Sequence, residues 1–197
     1  MKLVSQSATH HQTTTNAIYV VEGAARECYQ SKMSATPIEQ ETFIRKLIRR
    51  GHETPLEFAS TTFRITTDRG IMAELTRHRH ASFCVESTRY VKYNRGIRVC
   101  QPHVLPQSEY LGWKHAVQLA ETAYITLLEN GVAPQVARDV LPLCAAVDLR
   151  MCANWREWRH ILRLRTASGA HPKMRELMGM VLEWFRASYP VIVEDIP

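Results

Sequence analysis

Arg77-His78-Arg79-His80-Ala81-Ser82-Phe83-Cys84-Val85-Glu86-Ser87-Thr88-Arg89-Tyr90 is the stretch on which the reading of this chain turns. These fourteen residues hold three arginines, two histidines, two serines, a threonine, a tyrosine and one carboxylate. Every guanidinium N–H needs an acceptor, so the segment is a poor candidate for a plain hydrophobic core. A planar arginine fork grips phosphate or carboxylate with two parallel hydrogen bonds, so the same inventory suits a site for an anionic ligand.

Working outward toward the N-terminus, Phe58 to Thr66 alternates and is rich in threonine and aromatics, which predicts a strand. Asp68-Arg69-Gly70 then turns the chain into a helix carrying Ile71, Met72 and Leu75, and this helix delivers the central stretch. Further upstream, Thr36, Pro37 and Glu39 form a capping box with proline in the first helical turn. Ile38, Phe43, Ile44, Leu47 and Ile48 follow at helical spacing, and Gly51 ends the helix. Another helix is expected over residues 17–29. Residues 2–5 read as a short strand, and the polar run to Asn16, with His10 and His11, reads as a solvated loop.

Toward the C-terminus, Ile97 to Cys100 reads as a strand, and Pro106 to Asn130 as the longest helix. Tyr110, Trp113, Val117, Ala120, Tyr124, Leu127 and Leu128 form the apolar stripe of that helix. Pro134 opens a helix that stops near Pro142, and no element is assigned between there and Asn154. Asn154 and Glu157 cap a helix whose Trp155, Trp158, Ile161, Leu162 and Leu164 are expected inside. A last helix, residues 172–189, buries Met174, Leu177, Met178, Val181, Leu182 and Phe185. The pattern predicts an α+β fold: one helix-rich domain over residues 1–197 with a small central β-sheet.

The hydrophobic fraction of 45% and charged fraction of 22% are those of an ordinary globular protein. No apolar run of about 18 residues occurs, so no membrane span is expected. Five scattered cysteines without CxxC spacing fit a reduced, cytoplasmic setting. A net charge of +6 favours polyanionic partners, from nucleotides and folates to nucleic acid.

By itself, Arg77-His78-Arg79 reads as a solvated basic face. Glu86-Ser87-Thr88-Arg89-Tyr90 argues against that, because it adds hydroxyl donors, an arginine and a carboxylate able to accept from an imide N–H or a ribose hydroxyl. A second basic group comprises Arg138, Arg156, Arg159, His160, Arg163 and Arg165. Arg156, Arg159 and Arg163 share a helical stripe that reads equally as a ligand surface or a solvated face, and Arg138 alone as a surface arginine. GxGxxG, GxxxxGK[ST], HExxH and GxSxG are all missing. Ser87 has no sequence-evident His/Asp relay, and His78 and His80 are spaced wrongly for chelation on one helix face, so no metal site is expected.

In this order, the segments resemble the flavin-dependent thymidylate synthases. The family signature of RHR, seven residues and Ser reads here as Arg77-His78-Arg79, residues 80–86 and Ser87. Further matching blocks are Ala24-Ala25-Arg26, Gly51-His52-Glu53-Thr54-Pro55, Glu86 to Tyr90, Val136-Ala137-Arg138 with Val140-Leu141-Pro142, and Asn154 with Arg156 to His160 and Arg165. The resemblance implies a homotetramer that binds FAD, with active sites at subunit interfaces. It would convert dUMP to dTMP using methylenetetrahydrofolate as carbon donor and NADPH as reductant.

Carried over residue by residue, the resemblance makes Thr54, Arg77, His78, Arg79, Glu86, Asn154, Arg156 and His160 FAD contacts. Glu74, Arg77, Ser87, Thr88, Arg89, Arg138 and Arg165 become dUMP contacts, with Arg165 the catalytic group that activates the uracil without an enzyme nucleophile. The chain departs from the family at Cys84-Val85, where polar residues are frequent, at Glu74 in place of Gln, and at Gly169 in place of His. Two other readings compete: a family member that binds both ligands but turns over poorly, and a basic nucleic-acid-binding module. The second would show a steep salt dependence, and its recognised motifs are missing, so no nucleic acid is expected.

Overall fold

A computed structural model describes residues 1–197, which form two compact units. One comprises residues 1–7, 65–77 and 84–149; the other comprises residues 8–64, 78–83 and 150–197. Four strands hydrogen-bond in the order β2-β3-β6-β4: β2 (Ser7–Thr13), β3 (Ser60–Asp68), β6 (Ala146–Asn154) and β4 (Ala81–Val85). The unit boundary falls within the residues of all four strands, β2, β3, β4 and β6. No helix is long and apolar enough to cross a membrane.

The second unit carries α1 (Ala17–Glu27), α2 (Pro37–Arg49), a 3-10 turn (Thr54–Phe58), α6 (Trp155–Arg165), α7 (Pro172–Ser188) and α8 (Pro190–Val193). The Thr36 capping box forms as the sequence predicts, with both reciprocal hydrogen bonds present. Gly51 follows at φ 73, a left-handed position that glycine takes without a Cβ penalty. The core is aromatic: the Phe63 ring stands edge-on to Trp158 at 5.3 Å and to Trp184 at 5.2 Å. Both buried indoles reach Thr61, Trp155 donating to its hydroxyl and Trp158 to its carbonyl, each at 2.9 Å. All six predicted apolar residues of α7 are buried.

The first unit pairs β1 (Lys2–Val4) in parallel with β5 (Arg98–Cys100), Leu3 opposite Val99. It also holds α3 (Arg69–Leu75), α4 (Gln107–Glu129), α5 (Pro134–Ala137) and a 3-10 turn (Arg138–Val140). Its core joins Ile97, Val99, Val117, Tyr124 and Ala137. The Glu121 carboxylate enters from α4 and accepts from the Ile97 N–H at 2.9 Å. Gly96, at φ 98, passes so close that a Cβ there would lie 2.9 Å from Glu121 Oε1.

Four expectations are corrected. The polar run around His10 and His11 is strand β2, not a loop, and His10 stacks on Trp184 at 4.3 Å. Residues 143–153, left without an element, supply β6, whose Val147, Leu149, Met151 and Ala153 are buried in alternation. Leu164 is exposed rather than packed, because α6 turns its apolar face through Trp155, Trp158, Ile161 and Leu162. Arg159 is fully buried and belongs to no ligand stripe or solvated face.

Candidate active site

In the second unit the site begins at the N-terminus of α6. Asn154 caps that helix, its Oδ1 accepting from the Glu157 N–H at 2.8 Å. The cap sets Arg156, Glu157 and His160 on the first turns, where they line a cavity of about 520 Å³ together with Glu53, Glu57, His80 and Arg163. Glu57 rises from the 3-10 turn and pairs with Arg156. Thr54 opens the same turn and is exposed, as is Arg79 on the segment leading to β4.

Glu53 is held from behind. Arg159 donates to its Oε1 through Nε at 3.2 Å and Nη2 at 2.9 Å. The same guanidinium meets both Asp195 oxygens at 2.8 Å and donates to the Ile192 carbonyl. Burial works against the Arg159 charge, but hydrogen bonds to Asp195 and Glu53 outweigh it and raise its pKa. Arg163 adds a 2.7 Å bond to Asp195. These contacts fasten the C-terminal segment to the cavity wall. They also leave the wall's carboxylates largely neutralised by cations.

His78 lies buried beside α6. Its Nε2 accepts from Arg165 Nε at 2.9 Å, while its Nδ1 faces Glu157 Oε1 at 3.5 Å. The His160 ring stands edge-on at 6.0 Å. Burial first, then Arg165, then His160, push the His78 pKa down to about 4, so the ring is neutral at pH 7. Arg165 Nε has only a proton to give, so the remaining ring proton sits on Nδ1. Ligand atoms of His78, Glu157 and His160 come within 4.8 Å of one another, close enough for a metal ion. With Nε2 accepting from Arg165 and Nδ1 protonated, His78 has no lone pair for one.

In the first unit the stretch from Glu86 to Arg89 is held from below. Tyr93 donates to Glu86 Oε1 at 2.6 Å; Arg98 at 3.3 Å and the Asp148 N–H at 3.2 Å donate to Oε2. Burial first and then the Glu86 carboxylate push the Tyr93 pKa up to about 12, so its phenol stays protonated and donating. Glu86 thus anchors its loop, which limits what its carboxylate can offer a ligand. The Ser87 hydroxyl accepts from the Arg89 N–H at 3.3 Å, an ST-turn that sets both side chains on one bend. Thr88 is buried, and its hydroxyl accepts from Arg138 Nη1 at 3.4 Å, so two residues fifty apart in sequence meet. Arg89 is exposed, with its guanidinium 5.5 Å from the Tyr90 ring centre. Glu74 lies in the last turn of α3, and its carbonyl accepts from the N–H of exposed Arg77.

The anticipated residues therefore fall into two groups. Thr54, His78, Arg79, Asn154, Arg156, His160 and Arg165 lie in the second unit; Glu74, Arg77, Glu86, Ser87, Thr88, Arg89 and Arg138 lie in the first. Sequence reasoning missed the supports. Glu53 and Glu57 stand within the conspicuous His52-to-Glu57 segment, and Tyr93 heads another polar run, but nothing local marks Asp148 or Asp195.

The cavity offers what a flavin nucleotide needs. Arg156, His80 and His160 can donate to pyrophosphate oxygens or to flavin ring acceptors. Asn154 and Glu157 supply acceptors for ring N–H and ribose hydroxyl groups. Paired carboxylates keep the wall from repelling an anion.

Comparison with known proteins bears on the family and the fold. Residues 11–191 match the family model Thy1, thymidylate synthase complementing protein. A probable flavin-dependent thymidylate synthase of Mycobacterium phage D29 is 33% identical over 207 residues, covering 94% of this chain and 86% of the phage protein. A flavin-dependent thymidylate synthase of Mycobacteroides abscessus is 34% identical, with 89% and 78% covered. The structure of a UMP/dUMP methylase, PolB of Streptomyces cacaoi bound with 5-Br dUMP, superposes with a TM-score of 0.83 at 24% identity, over 98% of this chain and 96% of that one. That last likeness is one of fold. With the RHR-to-Ser signature in place and the match running through nearly the whole chain, the protein belongs to the flavin-dependent thymidylate synthase family.

Proposed function

We propose that the protein catalyses reductive methylation of dUMP to dTMP, with FAD as cofactor, methylenetetrahydrofolate as carbon donor and NADPH as reductant. It would act as a homotetramer with shared active sites, in the cytoplasm, where the five free cysteines stay reduced. The observation that carries this reading is the setting of Arg165: its guanidinium is held through Nε by a buried histidine.

Ser87 and Arg89, placed on one bend, bind the nucleotide phosphate with a hydroxyl and a guanidinium. Arg138, fixed against Thr88, adds a second cation. Arg165 faces the N3/O2 edge of the uracil and stabilises negative charge developing there, which makes carbon 5 nucleophilic without a covalent enzyme adduct. Arg156, His160 and Asn154 hold the flavin, with Thr54, His78 and Arg79 alongside. When bound and reduced, the flavin supplies the hydride that completes the methyl group. Ser87 binds and polarises rather than attacks.

The test is direct. Purified protein should be yellow, or take up added FAD, and its flavin absorbance should change on titration with dUMP. With methylenetetrahydrofolate and NADPH it should then release dTMP. Protein that neither takes up FAD nor responds to dUMP would overturn the reading. UMP belongs in the same titration, since the similarly folded PolB is described as a methylase of both nucleotides.

A further inference from the structure

Glu157, His78 and Arg165 form a row that the binding roles above do not explain. Glu157 and Arg165 both come from α6, eight residues apart; at 100° per residue that places them about 80° apart around the helix axis. His78 comes from the turn before β4 and fits between them, its two ring nitrogens facing the two side chains at 3.5 and 2.9 Å. Both nitrogens of a buried imidazole therefore face groups of the same unit.

We propose that His78 is a positioning residue: a neutral imidazole, protonated on Nδ1 toward Glu157, that holds the Arg165 guanidinium by accepting from its Nε–H. This rests on the reading of Arg165 as the group that faces the uracil. The three guanidinium nitrogens are coplanar, so tethering Nε fixes the plane and heading of the whole fork. A protonated His78 could not do this, because it has no acceptor and would set two cations against each other. The charged or titratable groups facing it are Glu157, His160 and Arg165; burial disfavours the imidazolium most, and Arg165 and then His160 add to it. Glu157 alone favours the cation, and its better use is to receive the Nδ1 proton and so select the tautomer.

Protein labelled with ¹⁵N-histidine reports the tautomer of the unmodified chain. At pH 7, His78 is expected to show a protonated Nδ1 and an unprotonated Nε2; an imidazolium or an Nε2–H tautomer overturns the proposal. His78→Leu keeps the bulk but removes the acceptor, and should weaken dUMP binding about tenfold. It should also raise the pKa at which bound 5-fluoro-dUMP loses its N3 proton, read by ultraviolet absorbance. His78→Gln, whose amide oxygen can take the place of Nε2, should restore most of both. If His78→Leu instead loses FAD while dUMP binding and the N3 pKa stay unchanged, His78 is a flavin contact and the tether is wrong. Wild-type protein that binds no dUMP would refute the proposed function, and the ¹⁵N spectrum would still decide the tether.

Discussion

Arg165→Ala should lower dTMP formation by about 10²–10³-fold, the usual cost of losing one donor aimed at developing negative charge. His78, its neighbour at 2.9 Å, is neutral and has its lone pair pointed at the arginine. FAD binding should fall far less, because Arg156 and His160 sit on earlier turns of α6 and Asn154 caps it. Arg165→Lys keeps the charge without the planar fork and should recover only a minor part of the rate. The check is steady-state dTMP formation beside FAD affinity for each variant. Equal loss of both quantities in Arg165→Ala would show that the residue shapes the flavin site and is misassigned as catalytic.

The largest stability effect should come from Arg159→Ala. This side chain is fully buried and bonds to Glu53, Asp195 and the Ile192 carbonyl. Removing it leaves two carboxylates facing a vacated space. Breaking a buried pair from one side costs about 3–5 kcal/mol; Asp195, 41% exposed, can turn toward water, so a value near the lower end is expected. Arg159→Met, which refills the volume, should cost less. Urea unfolding midpoints give the comparison, and a loss in Arg159→Ala no greater than that of an ordinary surface substitution would refute this account of the C-terminal segment.

The same network predicts an acid dependence. The hydrogen bond from Arg159, reinforced by Arg163, holds the Asp195 carboxyl well below the usual carboxylate range. The unfolded chain takes up a proton there near the ordinary value of about 3.9, where the folded protein does not. The contribution is therefore complete above about pH 5 and is lost as the pH falls toward the depressed folded value. Asp195→Asn removes this dependence, so its stability should fall less steeply than that of the wild type between pH 5 and 3. Parallel curves would mean that another carboxylate carries the effect.

What was legible in the chain was local or periodic. The capping box at Thr36, the turn at Gly51, the apolar stripe of α4 and the buried face of α7 each follow from residues within one or two turns of one another. Strand β6 was also written in the sequence, since Val147, Leu149, Met151 and Ala153 alternate with Asp148, Arg150 and Cys152. A charge in its middle masks the apolar run. In β2, two histidines and a glutamine hide a strand whose pairing with β3 outweighs its weak propensity.

The sequence by itself determined the family and the helices and singled out the residues proposed to carry the chemistry, because signature spacing and apolar period are properties of the chain alone. Only the tertiary structure decided what those residues are free to do. Arg159 reads as one more cation on a basic helix, yet Glu53 and Asp195, 106 and 36 residues away, make it an internal tie. Glu86 reads as a ligand acceptor, yet Tyr93, Arg98 and the Asp148 N–H engage its carboxylate. His78 reads as a possible cation, yet burial beside Arg165 makes it neutral and gives its lone pair a task. Charge state and hydrogen-bond capacity are set by neighbours in space and by exclusion of water, and neither is carried by the order of residues.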